Sequence, residues 1–251
     1  MIRKISKHSL SIIKAGIVLG AIAFSTVNFS DLHHNYIRHK VGKEVVEIIE
    51  PSQGGGTGFH VKAKSGQVYI MTNVHICEMA KNGKELLIGE GDPSSFIPRK
   101  VIFMSKKHDV CLVEPLPGHE GVSIASSVDV GEKVTIAGHP QLRPLSLEEG
   151  EIINKDATVR IAKSIITSED QAKECVGEVT EVPTFFGPIS ICISVDQAYQ
   201  AKLIAYPGNS GSPVVNKWGN VVGLLFAGND NAITDSYLVK LEYLKEILDL
   251  F

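Results

Sequence analysis

The sequence predicts an all-β body, a sandwich or a pair of barrels, closed by one C-terminal helix. Three observations carry this. Short apolar runs rich in Val and Ile recur along the chain, each bounded by turn residues. The composition is turn-rich, with 23 Gly and 11 Pro against only 6% aromatic residues. Helical periodicity is confined to the end, where Leu238, Leu241, Leu244, Leu248 and Phe251 fall at three- and four-residue steps.

The elements follow in order. Residues 1–30 carry Arg3, Lys4, Lys7 and Lys14 and no acid. Within them Ala15 to Val27 is uncharged and mostly apolar, too short for the roughly 20 residues of a straight membrane span but suited to a signal-peptide core. If Ile12 and Ile13 join it, residues 12–27 become a candidate membrane anchor. Residues 1–30 are therefore expected to be a signal peptide or anchor, and 31–44, polar and His-rich, a linker. The folded body is expected at 45–251, with halves at about 45–130 and 131–235 and a helix over 236–251. Strand candidates are 45–49, 67–73, 85–89, 101–104, 110–114, 133–138, 157–167, 189–195, 213–216 and 221–228. Lys217-Trp218-Gly219-Asn220 reads as a tight hairpin turn with an exposed indole.

The length, 251 residues, allows one sizeable domain or a compact pair. With 43% hydrophobic and 21% charged residues it is neither disordered nor polytopic. A net charge of −3 gives no indication of a nucleic-acid partner.

Three stretches carry chemistry. In Pro207-Gly208-Asn209-Ser210-Gly211-Ser212-Pro213, glycines flank a serine. They let the backbone bend tightly, present the hydroxyl, and aim the amides of Gly208 and Ser210 at one point, as an oxyanion hole requires. In Thr72-Asn73-Val74-His75, an imidazole ends the strand candidate VYIM and could exchange a proton with the serine. In His108-Asp109-Val110-Cys111-Leu112-Val113, an acid opens an apolar strand, where it could fix the imidazole tautomer. Each has a structural reading by itself; together, in the order His75, Asp109, Ser210, they point to acyl transfer.

These stretches resemble the trypsin/chymotrypsin-like serine peptidase superfamily. TNVHIC, HDVCLV and PGNSGSP match its three motifs, while GGGTGF at 54–59 and AGHP at 137–140 resemble flanking segments. The resemblance covers about residues 45–251 and lies nearest the bacterial branches. It implies two six-stranded antiparallel barrels with the site between them. It further implies Ser210 as nucleophile, His75 as general base and acid, Asp109 as orienting carboxylate, and a polypeptide substrate. No metal and no cofactor is implied. His60, His108, His119 and His139 lack the strand-plus-TN context of His75, and His108 is expected at the surface. The rival reading is an idle peptidase fold that only binds peptides.

The resemblance also places a substrate pocket near Ile204, Leu225, Phe226 and Gly228. No charged residue stands among them, so an apolar or small P1 side chain is expected. The four cysteines allow three pairings. Cys175 could join Cys192 across a Pro/Gly-containing loop, and Cys77 could join Cys111, since each lies two residues beyond a triad position; buried thiols are the alternative. Export, to the periplasm, outside the cell or the outer side of the cytoplasmic membrane, suits either pairing.

Overall fold

A computed structural model describes residues 29–52, 54–83, 85–185, 187–229 and 232–251. The expected signal or anchor segment is residues 1–30; residues 1–28 of it lie outside the described residues, and Phe29 and Ser30 open the first described helix. Among the described residues no helix is long and apolar enough to cross a membrane.

The N-terminal sheet orders its strands β5-β4-β1-β2-β3-β7-β6. Here β1 is Val45–Glu50, β2 Gly54–Lys62, β3 Val68–Thr72, β4 Leu86–Gly89, β5 Ile97–Arg99, β6 Val101–Ser105 and β7 Val110–Val113. Only Lys100 separates β5, paired with β4, from β6, paired with β7. Counting 97–105 as one broken strand closes a ring of six. The C-terminal sheet comprises β8 (Lys133–Gly138), β9 (Ser146–Ile166), β10 (Glu178–Thr184), β11 (Gly187–Lys202), β12 (Pro213–Asn216), β13 (Val221–Asn229) and β14 (Ala232–Lys240). The pairing of β9 with both β8 and β11 closes β11-β14-β13-β12-β8-β9 on itself, with β10 appended as a hairpin on β11. The two six-stranded barrels of the sequence reading are thus present, one strand broken and one hairpin added.

The uninterrupted apolar runs arise because both faces of these strands are covered. In β7, Cys111 and Val113 point into the first barrel, whereas Val110 and Leu112 join a core shared with the second. In β13, Val222 and Leu225 fill the second barrel, whereas Val221, Leu224 and Phe226 face the shared core. All four β7 side chains are fully buried, and each large aliphatic one contributes about 1.5–3 kcal/mol.

Two boundaries differ from expectation. The supposed linker is a helix, α1 (Phe29–Lys40), followed by a 3-10 turn at Gly42–Glu44. Ile37 and Val41 of this segment are completely buried in the shared core. Two apolar residues four apart anchor it, too few to stand out among its polar neighbours. At the other end, 236–240 belongs to β14, where Leu238 pairs with Tyr199 and Leu225. Beyond α2 (Val74–Cys77) and α3 (Glu169–Lys173), only α4, Leu241–Leu248, forms the C-terminal helix. β9 also begins earlier than expected, at Ser146, because its polar first half pairs with β8.

Candidate active site

His75 sits in α2, a single helical turn entered directly from β3. Val74, Ile76 and Cys77 are buried, which leaves the imidazole as the partly exposed side chain of the turn. Asp109 precedes β7 and holds φ at 53°, a left-handed conformation that Asp tolerates better than most residues. Three hydrogen bonds fix it there. Asn73 Nδ2 donates to its carbonyl at 3.0 Å, the His75 amide donates to Oδ1 at 3.1 Å, and His75 Nδ1 lies 2.8 Å from Oδ2. A carboxylate only accepts, so Nδ1 carries the proton and Nε2 is left with its lone pair. Beneath this pair a disulfide joins Cys77 to Cys111, with Cα atoms 6.5 Å apart.

Ser210 lies in the turn between β11 and β12. Gly208 has φ 92°, and a Cβ there would stand 2.6 Å from the His139 carbonyl oxygen. Gly211 has φ 85°, and a Cβ there would stand 2.0 Å from the Thr57 carbonyl oxygen. Both positions therefore require glycine. Thr57 of β2 holds this turn against the first barrel. Its amide donates to the Ser210 carbonyl at 2.8 Å, and its hydroxyl donates to the Gly208 carbonyl at 2.8 Å while accepting from the His139 amide at 3.0 Å. Thr72, three residues before His75, donates its hydroxyl to the Thr57 carbonyl at 2.7 Å. Ser210 is thus tied through Thr57 and Thr72 to β3, the strand that leads into the helical turn carrying His75. Among the described residues no hydrogen bond joins Ser210 Oγ to His75 directly.

The sequence reading missed Thr57, Thr72 and Asn73 as supporting residues. TN before His75 was the available signal for two of them; Thr57 lies inside the GGGTGF stretch, which marks the segment but not the role of this hydroxyl.

A cavity of about 370 Å³ opens beside the pair, lined by His75, Glu78, Lys106, Asp109 and, from the second barrel, Glu174 and Val176. The segment that carries Glu174 and Val176 is held by a disulfide between Cys175 and Cys192. Both cysteine pairs are bonded, which suits an oxidising compartment.

The expected pocket residues fare unevenly. Leu225 is 2% exposed and its side chain packs inside the second barrel, while its carbonyl accepts from the Gly211 amide at 2.9 Å. Phe226 is also buried, and lines a separate cavity of about 200 Å³ behind Asp109, with His108 and Tyr243. Strand alternation explains both: the residues that face away from solvent in β13 serve the two cores. Ile204 is half-buried, and Gly228 is exposed with open space where a Cβ would stand.

The four histidines weighed against His75 in the sequence have other roles. His108 is half-buried, not fully at the surface, because its ring stacks on Tyr243 at 3.9 Å. His139 is buried with Nδ1 2.9 Å from the Arg143 carbonyl oxygen, and burial lowers its pKa. His60 is fully buried and stacks on His119 at 3.7 Å, with Glu44 beside both. Glu44, His60 and His119 are close enough to suggest a metal site, but the hydrogen bonds point otherwise. The Leu116 amide donates to His60 Nε2 at 3.1 Å, so Nδ1 carries the proton and donates to the Glu44 carbonyl at 3.1 Å. Glu44 Oε2 accepts from the Gly121 amide at 3.1 Å. Neither His60 nitrogen has a lone pair to offer a cation, so the cluster braces the barrel instead.

A family profile described as trypsin-like peptidase domain matches residues 56–224. The serine protease Do-like HtrA of Bacillus subtilis (strain 168) is 24% identical over 180 residues, which cover 70% of this chain but only 34% of that relative. The inactive form of Rv3671c from M. tuberculosis H37Rv superposes with a TM-score of 0.60 at 15% identity, over 86% of this chain and 89% of that one. A serine endoprotease from Yersinia pestis superposes with a TM-score of 0.58 at 13% identity, over 86% of this chain and 66% of that one. These likenesses support the fold.

Proposed function

The chain belongs to the trypsin-like peptidase family, and on that premise we propose that it is a serine endopeptidase. The observation that carries the proposal is the paired contact of Asp109 with the His75 amide and Nδ1. It fixes the tautomer in which Nε2 can accept a proton.

In this reading the Ser210 hydroxyl gives its proton to His75 Nε2 as Oγ attacks the scissile carbonyl. The amides of Gly208 and Ser210 stabilise the oxyanion. Asp109 stays ionised and stabilises the imidazolium. His75 then protonates the leaving amine, and water, activated by the same nitrogen, hydrolyses the acyl-enzyme. The hydrogen bond from Ser210 Oγ to His75 Nε2 forms as substrate binds, in keeping with the looser geometry common in unliganded sites. An apolar or small P1 side chain fits the half-buried Ile204 and the open space beside Gly228. The enzyme works outside the cytoplasm, exported or anchored through residues 12–27, in keeping with its two disulfides.

The test is fluorophosphonate labelling of the full chain with mass mapping of the adduct. Label on Ser210 that is lost in Ser210→Ala and strongly slowed in His75→Ala is expected. No adduct on a folded sample would overturn the enzyme reading in favour of a peptide-binding module.

A further inference from the structure

Helix α1 has two unequal faces. Ile37 holds it to the core, but Leu32, Tyr36 and Lys40 follow at four-residue steps and form an outward stripe. Leu32, 53% exposed, and Tyr36, 45%, are uncovered, and Lys40 is half-buried. Its C-terminal end meets the turn between β12 and β13. The Tyr36 hydroxyl donates to the Trp218 carbonyl at 3.0 Å, and the Lys40 ammonium donates to the same oxygen. Trp218, the sole tryptophan of the chain, is 55% exposed, and Lys217 Nζ lies 4.5 Å from its ring centre. One leucine, two aromatic rings with polar tips and two lysines thus share one surface, and the helix holds the Trp218 carbonyl through Tyr36 and Lys40.

This is the chemistry of a lipid headgroup layer, where Trp and Tyr rings settle and lysine stems lie along apolar surface with their charges at phosphate level. Position favours the same occupant. The uncharged run Ala15 to Val27 ends five residues before Leu32, a reach of at most about 18 Å even if fully extended. The helix itself is basic, though acids stand at its flanks. Residues 29–43 carry Arg38, Lys40 and Lys43 against Asp31, while His34 of the helix faces Glu149 at 3.1 Å and, across the neighbouring groove, Lys133 is paired with Glu151 beside Asp129 and Glu132.

We propose that the Leu32–Tyr36–Trp218 face rests on an anionic bilayer surface, with Lys40 and Lys217 at the phosphates. β12 leads from the Ser210 turn to the Trp218 turn, so the patch and Ser210 lie at opposite ends of that strand. Docking here leaves Ser210 and its cleft turned away from the lipid.

Trp218 reports on this without any added label. The full chain is mixed with vesicles containing phosphatidylglycerol, and tryptophan emission is followed. The expected result is a blue shift, protection from acrylamide, and quenching by lipids with nitroxide-labelled headgroups. Lys217→Gln should raise the vesicle concentration at half-shift about five-fold, the effect of one surface lysine. Vesicle binding with unchanged emission and acrylamide access would overturn the proposal, because residues 1–28 alone would then hold the protein. A failure to bind vesicles would overturn it as well. A blue shift without lipid would do the same: growing with protein concentration, it would assign the face to a second copy; independent of concentration, to the chain's own N-terminal segment.

Discussion

The Thr57 hydroxyl donates to the Gly208 carbonyl at 2.8 Å, across the line between the two barrels. Thr57 belongs to a strand of the first barrel and Gly208 to the nucleophile turn of the second. The same oxygen accepts from the His139 amide, so one fully buried side chain sets the height of the Ser210 turn over β2.

Thr57→Val keeps the shape and removes this oxygen, leaving the His139 amide and the Gly208 carbonyl without that partner. The expected cost is about 1–3 kcal/mol of stability, read by denaturant unfolding. Fluorophosphonate labelling of Ser210 should slow about ten-fold or more, because the turn loses its fixed height. Thr57→Ser, which retains the hydroxyl, should restore most of both. Equal labelling rates in Thr57→Val and the parent would remove Thr57 from the positioning of the site.

Asp109→Asn tests the orienting role. The amide would donate toward His75 Nδ1 and so favour the wrong tautomer. Peptidase activity is expected to fall about 10⁴-fold at neutral pH, the scale that this exchange shows in the worked serine-protease triad. Stability should change little, because Asn also tolerates the left-handed backbone at this position.

These residues also mark what could be read from the sequence. His75, Asp109 and Ser210 each lie in a short stretch whose neighbours explain it: a strand end, a strand start, a glycine-flanked turn. The barrels were legible for a similar reason, since strands covered on both faces read as unbroken apolar runs. Thr57 was not legible, because its role arises only where β2 passes beneath a turn more than a hundred residues away. Helix α1 was hidden by its composition, with Ile37 and Val41 set among polar and charged residues. Leu238 was misread because its spacing suits a helix face equally well, while its actual neighbours are Tyr199 and Leu225 across the sheet.

Leu225 offers a direct contrast between pocket and core. It is enclosed by the second barrel with Tyr199 and Leu238 among its neighbours. Leu225→Ala should cost about 2–5 kcal/mol of stability and leave the order of preference among P1 side chains unchanged. A switch in P1 preference at unchanged stability would return Leu225 to the pocket wall.

His60 makes the first barrel sensitive to acid. Burial is the main reason that its pKa falls to about 4, with the nearby His119 adding to the effect, against the opposing pull of Glu44. In the unfolded chain the imidazole takes up its proton near 6.5. Between these values the unfolded state binds more protons, so stability rises with pH. The contribution is complete above about pH 6.5 and is lost as pH falls toward 4, a total of about 3 kcal/mol. His60→Gln should flatten the pH dependence of unfolding free energy over that window by a similar amount. An unchanged slope would mean that other groups carry it.

The two disulfides should fail differently. Cys77–Cys111 lies in the first-barrel core and spans 34 residues, for which the loop-closure estimate is about 4 kcal/mol. Replacing both with Ala should lower global stability by an amount of that order and disturb His75 and Asp109, which lie two residues before the two sulfurs. Cys175–Cys192 spans 17 residues and ties down the exposed segment that contributes Glu174 and Val176 to the cavity beside His75. That segment packs little apolar surface, so its opening need not unfold the barrels. The Cys175→Ala, Cys192→Ala pair should therefore speed amide hydrogen exchange over residues 169–194 while the core strands β3 and β7 keep their protection. Substrate turnover should change mainly through KM, since the cavity wall would be loosened and the His75–Asp109 contact left in place. Equal loss of protection in β3 and β7 would show instead that the hairpin and the barrels unfold as one unit.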